Sequence, residues 1–164
     1  MRTPPPVTGS ERETLEAFLD FHRETLLEKC LDLGGEQLAA RSCPPSVLSL
    51  QGLLRHMAKV ERWWFRMYMC GMPLPPLNTS REHPDLDFED VDPARWEEDI
   101  EVYRGEVAAA SDAVVAFTLD DLSRGEFGNP VSLRWIYLHM IAEYARHNGH
   151  ADLLREAVDG RTGV

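Results

Sequence analysis

Residues 139–150 read HMIAEYARHNGH, and His139, Glu143, His147 and His150 within them are spaced for one face of a helix. At 3.6 residues per turn the four positions fall within an arc of about 80°. Neutral imidazole and carboxylate are ligands for zinc and other first-row divalent ions. The same groups, with no ion, can form a hydrogen-bonded network. Ile136, Met140 and Leu154 share the Glu143/His147 direction, so the spacing turns that face toward a core. An unpaired carboxylate there would cost several kcal/mol or take up a proton. Arg146 lies near the edge of the face as one candidate partner, and a divalent cation neutralises the carboxylate more directly.

A further ligand must come from another element, and His56 is placed to supply it. Ser49, Leu53, Val60, Trp63 and Met67 lie within about 60° of its direction on a helix, so His56 also looks inward. His56, Glu143 and His147 together make two imidazoles and a carboxylate with coordination positions left open. Open positions mark catalytic zinc sites, whereas structural zinc is closed by four protein ligands. A buried His/Glu hydrogen-bond network is the competing reading of the same spacing. His150 could orient a ligand from behind or face the open position as a base, and His139 reads as packing or support. His22 and His83 have no partner in the pattern.

Other chemistries fail on the residues. There is no HExxH, no pair of Glu-x-x-His elements for a di-iron bundle, no GxSxG, no Walker loop and no GxGxxG. Cys30, Cys43 and Cys70 show no CxxC spacing, which sets aside both a disulfide framework and a thiolate zinc knuckle.

The elements that position these residues read as four helices. The first runs from Glu11 to Leu33 and stops at Gly34-Gly35. The second is capped by Ser46 or Ser49 and runs to about Cys70, where Gly71 ends it. Its Arg55, Lys59, Arg62 and Arg66 follow a helical course and read as a solvated face. Residues 71–92 are rich in Pro and Asp without a period and read as a long connection, which in a compact domain is often functional. Asp92-Pro93 starts a third helix with the stripe Trp96, Ile100, Tyr103, Val107, Ala110 and Val114. A turn around Gly125–Pro130 leads to a fourth, from about Val131 to Val158, closed by Gly160. No stretch alternates as a strand would, so the expected fold is an all-α four-helix bundle.

The chain of 164 residues is long enough for one domain, 1–164, with 1–10 as a flexible lead-in. A net charge of −11 argues against nucleic acid as a partner and gives no attraction to an anionic membrane. No apolar run could span a bilayer, and MRTPPPVTGSERE lacks the apolar stretch of a secretory signal, so the expected location is cytoplasmic.

The segments LSLQGLLRHMAKVERWWF and LRWIYLHMIAEYARHNGHADLLREAVDG resemble the DinB-like superfamily, most nearly the branch grouped with mycothiol-dependent S-transferases. The resemblance covers nearly the whole chain. Its specific parts are Leu-x-x-His-x-x-x-x-Glu at 53–61 and Glu-x-x-x-His-x-x-His-Ala-Asp at 143–152. It implies an up-down-down-up bundle binding a divalent metal, often zinc, through His56, Glu143 and His147. The ligand set does not separate Zn²⁺ from Ni²⁺, Mn²⁺ or Fe²⁺. Glu at the middle position is the pattern of the mycothiol-dependent maleylpyruvate isomerase branch, whose extra C-terminal domain is missing from this sequence. The implied activity is a thiol S-transferase with a detoxifying role. A low-molecular-weight thiol, mycothiol for an actinobacterial source, would coordinate the metal and attack an electrophilic small molecule. Trp63, Trp64, Met67 and the 71–92 segment would wall the site. A hydrolase or thiol-dependent isomerase on the same residues, and a non-catalytic metal-binding stress-response bundle, are the alternatives. Homodimers are common in the family.

Overall fold

The computed structural model describes residues 2–125 and 128–163. Four long helical stretches carry the fold. They are α1 (Glu11–Cys30), α3 (Leu50–Glu61) continued by a π-helical segment (Arg62–Met69), α5 (Trp96–Ala113) and α6 (Leu133–Asp159). Two short helices were not evident in the periodicity: α2 (Gly35–Ala39) and α4 (Leu86–Glu89). Among the described residues no strand forms, only an isolated bridge between Leu122 and Ser132. The expected turn around Gly125–Pro130 falls partly outside the described residues.

The helix ends follow local chemistry. Ser10 and Glu13 close a capping box on α1, Ser49 accepts from Gly52 N–H at the start of α3, and Ser132 accepts from Trp135 N–H at the start of α6. Asp92 caps a single 3₁₀ turn, Pro93–Arg95, that leads into α5. Gly160 ends α6 at φ 77°, a left-handed conformation that glycine adopts without a Cβ penalty. Ahead of α1, Arg2 pairs with Glu28 and reaches Thr25.

The ion pairs and ring contacts fix the helix directions. Along α1 and α6, Glu11 meets Arg134, Glu16 meets Tyr137 and Lys29 meets Asp152, so residue numbers rise together and the two run parallel. Along α3 and α5, Arg55 meets Asp99 and Arg66 meets Glu106, again parallel. Between α3 and α6 the order reverses, with His56 against His147 and Trp64 against His139. The result is the up-down-down-up bundle. Its core is a continuous set of buried residues from all four long helices, including Leu19, Leu26, Leu54, Phe65, Tyr103, Ile136, Met140 and Tyr144.

One expectation is overturned. Arg55, Lys59, Arg62 and Arg66 do not form a solvated face. Arg55 is buried and bridges Asp99, and Arg62 and Arg66 both grip Glu106 of α5. They also anchor the 71–92 connection: Arg55 donates to the carbonyls of Leu86 and Asp87, Lys59 to that of Pro84 and Arg62 to that of Pro75. Long cationic side chains can bury their stems while their heads find carboxylates and carbonyls, and helical spacing alone does not distinguish this from exposure. Arg155 and Asn148 of α6 are likewise buried. Arg155 donates to the carbonyls of Lys29 and Leu31, and Asn148 to the His22 carbonyl.

Candidate metal centre

Crossing α3 and α6 in opposite directions brings His56 to the level of Glu143 and His147. One ligand atom from each of the three lies within 4.8 Å of the others, close enough to share one ion. The rings of His56 and His147 are 4.7 Å apart, and His147 Nε2 is 3.5 Å from a Glu143 oxygen. All three residues are half-buried. Burial, together with neighbouring His56, pushes the His147 pKa down to about 4 against the pull of Glu143. The imidazole is therefore neutral at physiological pH, the form that ligates metals. Arg146, a turn away and mostly exposed, donates to Glu143 at 3.0 Å, as its position at the edge of the face suggested.

The site contains a residue that sequence reading missed. Asp87, on short helix α4 inside the 71–92 connection, is fully buried and accepts from His56 Nδ1 at 2.8 Å. Lys59 pairs with the same carboxylate oxygen. Burial by itself would raise the Asp87 pKa, but the hydrogen bonds from His56 and Lys59 outweigh it and hold the carboxyl below its ordinary range. Phe88 stacks on the His56 ring, 5.0 Å away at 28°. Asp87 and Phe88 together set the plane and tautomer of His56, with Nδ1–H donating to the carboxylate and Nε2 left with its lone pair. Carboxylates commonly hold a ligating histidine in this way. Gly52 eases the arrangement: a Cβ there would lie 3.1 Å from the Phe88 ring, tighter than an ordinary contact, so its absence favours the close packing of α4 on α3.

The donor set suits a divalent cation. Two imidazoles and one carboxylate converge there, and one imidazole is already oriented by its own hydrogen bond. His150 lies just beyond, its Nδ1 3.4 Å from His147 Nδ1, half-buried at the edge of the cluster. His139 sits a turn before Glu143, stacked on Trp135 with 4.9 Å between centroids and 8° between planes. Burial lowers its pKa even though Glu143 opposes the shift. His22 packs at Asn148, and His83 is exposed in the 71–92 connection.

The directions of Trp63 and Trp64 depend on the π-helical segment. On a regular α-helix Trp63 falls about 20° from His56, and Trp64 about 80° away. After Glu61, however, the helix widens into a π turn, which advances each residue less around the axis. Trp64 is thereby carried toward α6, where its ring meets His139 at 4.5 Å and Trp135 at 5.5 Å. Trp63 is half-buried next to it. Met67 lines a cleft of about 540 Å³ with Gly71, Met72 and Arg124. A second cleft, of about 530 Å³, lies between the end of α1 and the start of α5. Neither shares a lining residue with the His56/Glu143/His147 cluster.

Comparison with known proteins bears on the family and the fold. The sequence profile of the mycothiol-S-transferase family matches residues 14–160. No protein of curated function matches the chain. Among solved structures, a conserved protein from Enterococcus faecalis superimposes with a TM-score of 0.66 at 17% identity. The match covers 94% of this chain and 100% of that one. At that identity the likeness establishes the fold alone.

Proposed function

The chain belongs to the mycothiol-S-transferase family, and from that we propose a metal-dependent transferase that activates a low-molecular-weight thiol, mycothiol in the first instance, for conjugation to an electrophilic small molecule. The single observation that carries the reading is the convergence of His56, Glu143 and His147 within 4.8 Å, with His56 oriented by Asp87. A divalent cation such as zinc would be held by these three residues and would supply the Lewis acidity that keeps a thiol deprotonated at neutral pH.

The chain's own groups do the rest. Asp87 and Phe88 keep the His56 ring from turning, so its Nε2 stays aimed at the site. Glu143 contributes the one negative charge of the ligand set, and Arg146 holds that carboxylate from the solvent side. His150, beside His147 and partly exposed, accepts the thiol proton and passes it to water. The paired rings of Trp64 and His139 shield one side of the cluster from solvent.

Metal content by mass spectrometry on the wild type and on His56→Ala tests the site, followed by titration of the metal-loaded form with mycothiol. About one metal per chain, lost in the variant and perturbed by thiol, is the expected result. Absence of metal after reconstitution with several divalent ions would overturn the reading. Turnover without any added thiol would instead favour a hydrolase.

A further inference from the structure

Beside the cluster, α6 carries Trp135, His139, Glu143 and His147 in a single column of i, i+4 steps. The lower half of that column is aromatic and open. Trp135 is 44% exposed and Leu138 54% exposed, on a helix whose other face is closely packed. The Trp135 ring is covered on one face by His139, nearly parallel to it. Trp64 stands at 54° to Trp135, 5.5 Å away, and at 58° to His139. The three rings make an angled seat whose inner end, His139, lies one turn from Glu143. An exposed tryptophan held in a fixed orientation by two other rings has already lost its rotamer freedom. It therefore stacks a flat guest at low entropic cost.

We propose that Trp64, Trp135 and His139 form the seat for the electrophile, and that the electrophile is a planar aromatic or conjugated molecule. The proposal rests on the transferase reading above and names its substrate class. Two observations favour an apolar planar guest over the polyhydroxylated carrier of the thiol. Leu138 extends the exposed patch as apolar surface. Arg134, the charged neighbour of Trp135, is committed to Glu11 and Asp120. A sugar would need hydrogen-bonding side chains here, whereas an aromatic ring needs only faces and edges. The chemistry balances without an oxidant. In conjugate addition the thiolate sulfur forms the S–C bond, the alkene π pair moves onto the conjugated acceptor, and a proton from water completes the product. In aromatic substitution the leaving group departs with the bonding pair.

The test has a binding arm and a turnover arm. Naphthol and cyclohexanol are titrated calorimetrically into the wild type, Trp135→Ala, Trp135→Leu and the control Leu153→Ala, which removes exposed apolar surface elsewhere on α6. Naphthol should bind the wild type and the control alike and weaken by about tenfold in both Trp135 variants, with cyclohexanol indifferent to all four. Trp135→Leu keeps apolar bulk without a π face, so it separates stacking from simple burial. In the turnover arm, thiol conjugation to chlorodinitrobenzene should lose about tenfold in kcat/KM in Trp135→Ala, with conjugation to iodoacetamide and metal content unchanged. Naphthol binding that ignores Trp135, or an equal loss with both electrophiles, would overturn the proposal. Intact Trp135-dependent naphthol binding with no conjugation of either electrophile would overturn the transferase reading and leave the seat as an aromatic-ligand site.

Discussion

At Glu61 the α3–α6 interface buries a carboxylate completely; a little over one turn earlier on α3, at His56, the same interface leaves one half-open. Glu61 accepts from Nε and Nη2 of Arg23, each at 2.7 Å, and from the hydroxyl of Tyr144 at 2.8 Å. Tyr103 then links Tyr144, at 3.0 Å, to the Arg23 carbonyl. Burial raises the pKa of both tyrosines, so they remain protonated and able to donate. Every charge in this group has a counter-charge and the group is closed to water. The His56/Glu143/His147 cluster has the opposite construction. Its carboxylate is only partly neutralised, by an exposed arginine. Its imidazoles face each other across a gap, and its donor atoms converge without a common partner among the described residues. Closed networks of this kind specify a fold, and converging donors with room between them are how a site takes an ion.

Breaking the closed group should have the largest effect. Glu61→Ala strands the Arg23 guanidinium in the core and should cost about 3–5 kcal/mol of stability, measured by urea unfolding. The double variant Arg23→Met/Glu61→Leu should recover much of that loss, because a buried pair replaced by apolar groups is often nearly neutral. If Glu61→Ala cost no more than a surface change, the two regions would not differ as described.

Next comes Asp87→Ala, which removes the acceptor that orients His56. Metal affinity should fall by about 10–100-fold, read by competition with a chromophoric chelator. An unchanged affinity would mean that Phe88 alone sets the ring. A smaller effect still is expected for Glu143→Gln. Without metal its stability should stay within about 0.5–1 kcal/mol of the wild type, because the Arg146 pair it loses is solvent-screened. Metal content should drop at the same time. The same substitution at Glu61 would not separate the two readouts.

The smallest effect is on pH dependence. Burial lowers the His22 pKa from its ordinary 6.5, so below that value the unfolded chain binds more protons than the folded one. The stability this group contributes is present above pH 6.5 and declines as the pH falls toward its lowered folded value. His22→Asn should flatten that part of the stability profile, followed by thermal unfolding at pH 7.5, 6.5 and 5.5. A profile identical to the wild type would assign the acid sensitivity to other groups.

Much of this was legible in local pattern, for physical reasons that can be stated. Helix periodicity and end residues such as Ser10, Ser49, Asp92 and Gly160 act through backbone geometry within a turn or two, so four long helices could be read from the string. Glu143 and His147 share a face because four residues make about one turn, and that needs no tertiary information. The inward direction of His56 followed from the apolar residues around it. Asp87 could not be read in this way. It lies in a stretch without period, and its partner is reached only once α4 packs on α3, with Phe88 against His56 and Gly52. The signal that could have raised it was the position of Asp87-Phe88 in a long connection with an excess of acidic residues.

The sequence by itself determined the all-α class, the approximate extent of the helices, and which side chains share a helix face, because those depend on interactions between residues close in the chain. The tertiary structure alone decided which faces meet and at what level. The antiparallel crossing of α3 and α6 brings His56 to Glu143 and His147. The π turn carries Trp64 to His139. The packing of α4 puts a carboxylate behind His56, and the cations expected in water instead hold Glu106, Asp99 and the 71–92 connection. Each of these depends on residues tens of positions apart finding one another, and side-chain spacing along a single helix carries no information about the element that will lie across from it.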